Sequence, residues 1–403
     1  SSTMATQADC APASNQTRSA MSGFEIHLLG MLVFSAVLLI ATVGNLIVLP
    51  VLGRRKRPPV ADPPRVAVLV PARNEERGIV ACLESLLGQD YPDFSVSVLD
   101  DGSSDATPEL LRGLQRRYPE LRVIHGRPPP TGWLGKHWAC HQLATGADAE
   151  LLLFTDADTS HHPRTLADAV AELRHHRADL LSLLPRQIMR TPGEQLLVPL
   201  MTWCIVSFLP LALLRLLKRP ALAPANGQFM LFRRRTYERI GGHAAVRDHA
   251  TDAVALGRAV VKNRGRLAFA DGTRRVACRM YTGFGEAFAG FSKNFFAIFN
   301  YKLLIFLFAW LWVAFLYWEP PVLLTLDLLG APLSPLVFWL AAATLGASLL
   351  QWLLVYLRFG FPVWAALGHP VVALLGTLTA LNSLRLTRRG SARWKGRKLI
   401  RRR

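Results

Sequence analysis

Two carboxylates one residue apart follow a short apolar segment near the middle of the chain. Leu151–Phe154 is a run of four apolar residues, and Asp156 and Asp158 come soon after it. Such a run is typical of a buried strand, and alternate side chains of an extended chain point the same way. The pair is therefore predicted to face one ligand at the carboxyl edge of a sheet. Two hard oxygen ligands suit Mg²⁺ or Mn²⁺ bound with substrate phosphates, although an acidic turn without function has the same pattern.

Two earlier segments repeat this design of an apolar strand that ends in a polar turn. Residues 65–76 read RVAVLVPARNEE, and residues 95–105 read SVSVLDDGSSD. With the aspartate pair as the third motif, this order closely resembles an inverting family 2 glycosyltransferase of the GT-A fold. The resemblance covers roughly residues 65–285. Within the family, the sequence resembles in particular the membrane-bound bacterial branch that glycosylates carotenoid or other polyprenoid lipids. It implies an α/β fold with a Rossmann-like GT-A catalytic domain.

The resemblance also implies which side chains contact the nucleotide-sugar donor. In the first polar turn it assigns Pro71, Arg73 and Glu75 to donor binding. Glu75 equally suits the first turn of a following helix, and the two roles are compatible. In the second turn, Asp101 would accept a hydrogen bond from the nucleobase. A carboxylate acceptor favours the imide of uracil over a purine, although guanine also offers donors.

Further residues match later motifs of the family. The loop 131–136 contains Trp133 and Lys136, and by resemblance it closes over the donor while Lys136 offsets phosphate charge. Gly227 matches a short strand whose glycine lets the backbone approach the donor sugar. His243 is an additional metal ligand in some relatives, although a lone histidine is more often structural.

Asp252 occupies the position of the family's general base. The residue before it is an acid in relatives and Thr251 here. By resemblance, Asp252 takes the proton of the acceptor hydroxyl as its oxygen attacks the anomeric carbon. An acid in the first turn of a helix is also favoured by the helix dipole without any catalytic role. A carboxylic acid acceptor is already ionised near pH 7, and Asp252 would then position it.

Composition indicates a membrane protein with basic flanks. The 403 residues are 51% hydrophobic, yet they include 47 Lys and Arg and carry a net charge of +19. The basic residues cluster beside apolar segments and at the C-terminus, which favours anionic lipids and sugar-nucleotide phosphates over nucleic acid. The five cysteines lack the spacing of a metal site or a disulfide framework. They are expected to be reduced and incidental.

The first part of the chain is expected to anchor the catalytic domain to a membrane. A disordered N-terminus is predicted over 1–25, a transmembrane anchor over 26–52 and a basic, proline-rich linker over 53–64. The basic run at 54–57 marks the cytoplasmic end of the anchor. The catalytic domain over 65–285 is therefore expected on the cytoplasmic side of the cell (inner) membrane.

Other apolar segments are expected to contact or cross the bilayer. Pro199 and Pro210 interrupt a stretch over 196–217, which predicts interfacial helices, with a buried core helix as the alternative. The remaining predicted regions are an interfacial helix over 286–300, membrane helices over 301–383 and a basic cytoplasmic tail over 384–403.

The charge of this tail conflicts with the number of apolar segments before it. Three crossings after a cytoplasmic domain would leave the tail outside, whereas its positive charge favours the cytoplasm. One segment is therefore expected not to cross, and 361–381 is the one predicted to form a re-entrant hairpin. Arg397 lies in a W-K-G-R element that resembles one near the end of family members, which implies a role in donor binding.

These features predict a multi-pass, metal-dependent enzyme. It would transfer one hexose with inversion from a nucleotide sugar, with UDP as the expected carrier, to a polyprenoid or carotenoid-type lipid. One alternative is a processive polysaccharide synthase, whose Q-x-x-R-W motif is missing from the sequence. The other is a non-catalytic nucleotide-sugar-binding membrane protein, which would have no need of Asp156, Asp158 and Asp252 together.

Overall fold

The catalytic region contains two sheets, described from a computed structural model that covers residues 21–54, 62–213, 219–395 and 397–398. The strands of the main sheet are β1 (Val66–Ala72), β2 (Phe94–Asp100), β3 (Arg122–His125), β4 (Leu151–Phe154), β6 (Leu180–Leu184), β8 (Met230–Arg233) and β9 (Leu267–Asp271). A smaller sheet consists of β5 (Thr159–His161), β7 (Arg186–Gln187) and β10 (Val276–Cys278).

The main sheet is mostly parallel, and its order is β3-β2-β1-β4-β8-β6-β9. Strand β1 pairs in parallel with β2 on one side and β4 on the other, so that Val66 faces both Phe94 and Leu151. Only β8 runs antiparallel to its neighbours in this sheet. The carboxyl ends of β1, β2 and β4 therefore meet at one edge, where the polar turns lie. The expected α/β fold is confirmed.

Helices cover both faces of this sheet. On one face lie α2 (Ile79–Leu87), α3 (Thr107–Arg117) and α5 (Thr165–His175). On the other lie α4 (Gly135–Thr145), the short α7 (Arg234–Arg239) and α8 (Asp252–Lys262), with a 3₁₀ turn at Gly242–Val246. Each helix buries an apolar stripe against strands whose residues are buried on both faces, as is typical of a parallel sheet.

The apolar stretch inside the catalytic region forms one helix, α6 (Pro192–Phe208), followed by 3₁₀ turns at Leu211–Leu213 and Pro220–Leu222. The expectation that Pro199 interrupts this stretch is wrong, because the helix continues through it and ends just before Pro210. Packing offsets the lost backbone bond: Trp203 is fully buried and stacks on Trp352 with ring centroids 4.2 Å apart. Residues 214–217 of the predicted pair lie outside the described residues.

Four helices in the described part of the chain are long and apolar enough to cross a membrane. They are α1 (Gly23–Val48), α11 (Leu303–Leu328), α12 (Pro335–Phe359) and α14 (His369–Arg388). Large apolar side chains cover their outer surface, for example Ile47 and Leu304, which are 77% and 82% exposed. A surface of this kind is suited to lipid.

The anchor begins and ends earlier than its sequence indicates. Ser22 and Glu25 form a capping box, so residues 23–25 are helical and the expectation of disorder is wrong for them. The helix stops at Val48, because the chain then joins the main sheet through reciprocal backbone hydrogen bonds of Pro50 and Leu52 with Asp271. Residues 1–20 and 55–61, which include most of the basic run and of the linker, lie outside the described residues.

The predicted interfacial helix over 286–300 is two helices, α9 (Phe284–Ser292) and α10 (Phe295–Ile298). The break falls at Lys293 and Asn294. There the backbone N–H of Phe296 donates to Ser383 Oγ of α14 over 3.0 Å, so a tertiary contact replaces a helical bond.

The chain after α12 turns back along that helix. Gly360 takes the left-handed conformation at its end, and the short helix α13 (Val363–Leu367) follows. His369 then lies 3.1 Å from Ser348 Oγ, which is about three turns before the end of α12. Helix α14 returns to the catalytic region, where it contacts α9 and α10. The segment predicted over 361–381 is thus two helices, and α14 extends beyond it to Arg388; the re-entrant hairpin stays a prediction.

The C-terminal segment forms a small antiparallel hairpin of β11 (Arg393–Trp394) and β12 (Arg397–Lys398). It follows α14 directly and packs against the catalytic region. Residues 396 and 399–403 of the predicted tail lie outside the described residues.

Candidate active site

The aspartate pair lies at the carboxyl edge of the sheet, in a turn. Strand β4 ends at Phe154, and Asp158 lies in the following turn, so the extended geometry expected for the pair is wrong. Thr155 Oγ1 donates to the backbone oxygen of Gln228 over 2.8 Å, and Thr159 Oγ1 donates to that of Asp156 over 2.7 Å. These bonds fix the turn and hold both carboxylates at one place.

Lys136 joins this pair to the predicted general base. Its Nζ lies 2.6 Å from Asp156 Oδ1 and 3.7 Å from Asp252 Oδ2. The lysine ends the predicted loop 131–136 and stands in the first turn of α4, which begins at Gly135. Burial lowers the pKa of Lys136, but Asp156 and Asp252 raise it well above its usual value. The structure therefore brings together three residues that the sequence singled out separately.

Asp158 has the properties of a cation ligand. Its Oδ1 is buried without a hydrogen-bond partner among the described residues. Burial and the charge of Asp156 raise the pKa of Asp158 to about 6, against a smaller effect of Cys278. Two carboxylates that repel each other in this way fit a divalent cation. Cys278 and the other described cysteines are free, and no sequence pattern indicated that Cys278 borders the site.

His243 does not join the aspartate pair. Its Nδ1 lies 2.9 Å from the Tyr237 hydroxyl, and its ring packs against Phe154 at 4.8 Å. The residues described here contain no group of three His, Cys, Asp or Glu side chains that could hold a metal ion. The expectation that His243 is a metal ligand is therefore not met, because its ring is hydrogen-bonded to Tyr237 and packed against Phe154. Further metal ligands would come from substrate and water.

Asp252 begins α8 and faces the centre of the site. Its Oδ1 accepts a hydrogen bond from the backbone N–H of Ala253 over 2.8 Å, as expected of an acid in a first turn. Burial raises the pKa of Asp252, but Lys136, followed by His137 and His243, lowers it well below the usual value. Gly227 borders the same spot, since a Cβ built on it would lie 3.5 Å from Lys136 Nζ.

The C-terminal hairpin brings two cations to the turns after β1 and β2. Arg397 Nη1 lies 2.5 Å from Asp101 Oδ2, and Lys395 forms an ion pair with Glu75. Arg73 links the two turns by donating to the backbone oxygen of Asp101 and, over 3.3 Å, to that of Lys395. Sequence analysis selected Arg397 but missed Lys395, although both lie in the W-K-G-R element.

Glu75 connects the donor turn with the aspartate pair. Burial, together with smaller effects of the charges of Asp158 and Asp156, raises the pKa of Glu75 to about 7 against the lowering effect of Lys395. Pro71 lies at the end of β1, beside Leu99 of β2. The predicted donor residues of the first two turns therefore lie together at one edge of the sheet. The two carboxylates among them, Glu75 and Asp101, pair with Lys395 and Arg397 of the hairpin.

Trp133 lies in an aromatic cluster at the start of α4. Its ring centroid is 5.0 Å from that of Trp138 and 5.1 Å from that of His141. The backbone N–H of Leu134 donates to the oxygen of Arg247 over 2.9 Å. This bond ties the loop that carries Trp133 to the segment before Asp252.

Comparisons with known proteins show which family and which proteins the chain is similar to. Residues 67–241 match the family described as glycosyl transferase family 2. A 4,4'-diaponeurosporenoate glycosyltransferase of Staphylococcus haemolyticus is 27% identical over 232 residues, which are 57% of this chain and 60% of the relative. A protein of the same name from Staphylococcus aureus is 28% identical over 234 residues, again 57% of this chain and 60% of the relative. The alignments thus span about three fifths of the relatives' length.

One solved structure shares the fold over nearly the whole chain. It is the mannosyltransferase PcManGT from Pyrobaculum calidifontis in complex with GDP-Man and Mn²⁺. The TM-score is 0.51 at 19% sequence identity, and the superposition covers 90% of this chain and 91% of that one. The likeness supports the GT-A assignment of the sheet and the placement of helices around it.

Proposed function

With a glycosyl transferase family 2 domain over residues 67–241, we propose that this chain transfers a single hexose, with inversion, from a nucleotide sugar to a carotenoid-type or other polyprenoid lipid. The names of the staphylococcal relatives support the carotenoid-type acceptor. The observation that carries the proposal is the contact of one lysine, Lys136, with both Asp156 and Asp252 at the carboxyl edge of the sheet.

The donor is proposed to lie along the ends of β1 and β2. Pro71, Arg73 and Glu75 would line the nucleotide, and Asp101 would accept a hydrogen bond from its base, with uracil as the expected base. Arg397 now pairs with that carboxylate. Once Asp101 is hydrogen-bonded to the nucleobase, Arg397 is released from that carboxylate and can bind the diphosphate through two parallel hydrogen bonds.

Asp156 and Asp158 are proposed to hold Mg²⁺ or Mn²⁺ together with the donor diphosphate. The unpartnered Oδ1 of Asp158 and the mutual repulsion of the two carboxylates support this role. A divalent cation bound there would neutralise charge on the leaving nucleoside diphosphate. Lys136 and Trp133 belong to the loop and helix start that border the donor on this side, and Gly227 leaves room for the sugar.

Asp252 is proposed to act on the acceptor. For a hydroxyl acceptor it removes the proton while the acceptor oxygen bonds to the anomeric carbon and the bond to the diphosphate breaks. Because Lys136 holds the pKa of Asp252 low, Asp252 is a weak base as long as it pairs with Lys136. A carboxylate acceptor needs no proton removed, and Asp252 would then orient it.

The catalytic domain is proposed to face the cytoplasm from the cell (inner) membrane. In this topology α1, α11 and α12 cross the membrane, and α13 and α14 form a re-entrant hairpin. The C-terminal tail then lies on the same side of the membrane as Asp101 and Glu75. A single cysteine at Ser391, which is exposed, tests this in a cysteine-free background. It should resist a membrane-impermeant thiol reagent in intact cells and react after lysis. Labelling of intact cells would contradict the topology.

The activity is tested by mass spectrometry of lipids from cells with and without the protein. One new lipid, heavier by one hexose, supports the proposal, and loss of that lipid in an Asp252→Asn variant assigns it to this site. A ladder of products indicates a processive synthase. If purified protein with extracted lipid releases no free nucleotide from any nucleotide sugar, the chain is a binding protein.

A further inference from the structure

A cleft of about 310 Å³ lies along α8, apart from the aspartate pair. The helix lines it with Ala255, Arg258, Ala259 and Lys262, which share one face because they are three or four residues apart. Arg258 follows Asp252 by six residues, which is about 9 Å along a helix. The described residues that line the cleft include none of those assigned to the donor, the metal or the base. It is therefore a second candidate site.

Arg258 is a fixed guanidinium with hydrogen-bond donors to spare. Its Nη1 donates to Asn300 Oδ1 and its Nη2 to the backbone oxygen of Ile298, each over 3.0 Å. Two of its five N–H groups are thus used, and its buried Nε has no acceptor among the described residues. Burial lowers the pKa of Arg258, and no carboxylate in the described part of the chain offsets this effect. A half-buried cation of this kind favours an anionic ligand.

The cleft carries more positive than negative charge. Lys262 is its second cation and is exposed. Asp248 is the carboxylate among the described lining residues, and it has contacts of its own. The two cations therefore exceed Asp248 by one charge while His249, which also lines the cleft, is neutral. Phosphate oxygens suit such a pair, because a guanidinium binds them through parallel hydrogen bonds and an ammonium acts as a point charge.

Asn300 is held at the edge of the cleft in an unusual conformation. Asn300 and Tyr301 both have positive φ, 51° and 60°, and such a backbone persists only where its surroundings maintain it. Asn300 Oδ1 provides contacts that do so, since it accepts from Arg258 and lies 3.3 Å from His249 Nε2. Its Nδ2 donates to none of the residues described here. The amide therefore offers a further donor beside the guanidinium.

The cleft lies next to the start of a helix whose surface is suited to lipid. Asn300 precedes α11 by three residues, and Leu304 in the first turn of that helix is 82% exposed. In the proposed topology α11 crosses the bilayer, and a headgroup layer about 5–8 Å thick borders the hydrocarbon core on each side. A cleft four residues from Leu304 then lies at the depth of the headgroups. A phosphate at that depth belongs to a lipid.

We propose that this cleft binds the phosphate of an anionic membrane phospholipid. Arg258 and Asn300 donate hydrogen bonds to the phosphate oxygens, and Lys262 adds a positive charge. The bound lipid fixes α8, which begins with Asp252, to the membrane surface. This inference goes beyond the proposed function, because it concerns a separate site and needs neither a sugar donor nor an acceptor.

The test measures the binding of fluorescent phosphatidylglycerol and phosphatidylcholine to the purified full chain in detergent micelles. We expect wild type to bind phosphatidylglycerol at least about tenfold more tightly, because the choline cation offsets the phosphate charge and weakens its charged hydrogen bonds. Lys262→Met should weaken phosphatidylglycerol about fivefold, as expected for one cation at an anionic lipid. Arg258→Met should weaken it at least about tenfold. Arg258→Lys should fall between wild type and Arg258→Met, because the charge stays and the planar fork is lost.

Lys302→Met is the matched control, because Lys302 is an exposed cation at the start of α11 that does not line the cleft. Its affinity for phosphatidylglycerol should equal that of wild type. Lys262→Met keeps the test valid if Arg258→Met fails to fold, because the exposed Lys262 side chain has no partner among the described residues.

Three results would overturn the proposal. Equal affinity of wild type for the two lipids would show that the cleft does not recognise an anionic head. An equal loss in Lys262→Met and Lys302→Met would assign the effect to general surface charge. If sn-glycerol 3-phosphate displaces phosphatidylglycerol at the concentration at which the lipid itself does, the cleft is a site for a soluble phosphate. The test contains no nucleotide sugar, so its outcome is independent of the proposed transfer reaction.

Discussion

Lys136 is the cation on which both acidic groups of the candidate active site depend. Replacing it by methionine keeps the length of the side chain and removes the charge. In the wild type its Nζ lies 3.7 Å from Asp252 Oδ2 and depresses the pKa of that carboxyl. Without Lys136, burial remains as the main influence on Asp252, and burial favours the protonated acid. The pKa of Asp252 should therefore rise.

The size of this rise follows from the distance. Two unit charges 3.7 Å apart attract each other by about 4.5 kcal/mol at an effective dielectric constant of about 20. The side chain of Lys136 is 38% exposed, so solvent screening reduces this to roughly half, or about 2 kcal/mol. One pKa unit corresponds to about 1.4 kcal/mol. We therefore expect the pKa of Asp252 to rise by about 1.5 units. The rise should be larger if the site closes on the substrate, because less solvent then screens the two charges.

The assay is the titration of the Asp252 carboxyl itself, followed by infrared difference spectra against Asp252→Asn, because the acidic limb of kcat/KM is set by Asp158, whose pKa of about 6 is higher. The Asp252 carboxyl should titrate about 1.5 units higher in Lys136→Met than in wild type, whereas Lys136→Arg should leave its titration in place. The same titration of Asp252 in wild type and Lys136→Met would refute the role of Lys136 in keeping Asp252 ionised.

Other changes probe the metal, the base and the contact between the domains. Asp158→Asn should lower turnover at least about a hundredfold, as loss of one electrostatic stabiliser does, and normal turnover would end the metal assignment. Asp252→Asn should keep donor affinity by titration calorimetry but lower hydroxyl transfer by about 10²- to 10⁴-fold. Mn²⁺ should bind about tenfold more tightly at pH 7 than at pH 5, because Asp158, whose pKa is about 6, must lose its proton to bind the ion. An affinity for Mn²⁺ that is independent of pH would contradict this role of Asp158. Arg358→Met should lower the free energy of unfolding by about 3–5 kcal/mol. The reason is that the fully buried Asp271, 2.5 Å from Arg358 Nη1, loses its cation. Thermal unfolding measures this loss of stability, which should be much smaller for Arg358→Lys.

The sequence predicted those parts of the site that depend on local rules. Strands with both faces buried must pair in the middle of a sheet, and parallel strands bring their carboxyl ends to one edge. The turns with Glu75, Asp101 and Asp156 therefore had to lie together. The joining of Asp156 to Asp252 through Lys136 needed the tertiary structure, because α4 and α8 are far apart in the chain and meet only on the packed sheet.

The errors occur where tertiary contacts outweigh local preferences. Pro199 lies inside α6 because the helix is packed among aromatic side chains, although proline in an isolated helix costs about 3 kcal/mol. The break at Lys293 has no helix-breaking residue, and it depends on hydrogen bonds from α14, which lies some 90 residues later. No periodicity within one segment contains that information.

The long apolar helices are packed against the sheet that carries the candidate active site. Asp271 is bonded to the segment after α1, belongs to β9 and pairs with Arg358 at the end of α12, so one buried residue joins the anchor, the sheet and the helix bundle. The course of α14 then carries Lys395 and Arg397 to the turns after β1 and β2, where they pair with Glu75 and Asp101. Without that course, Glu75 and Asp101 would lose the two cations that now pair with them. The left-handed turn at Gly360 is thus one step by which the chain brings its C-terminal hairpin to a site built on the sheet.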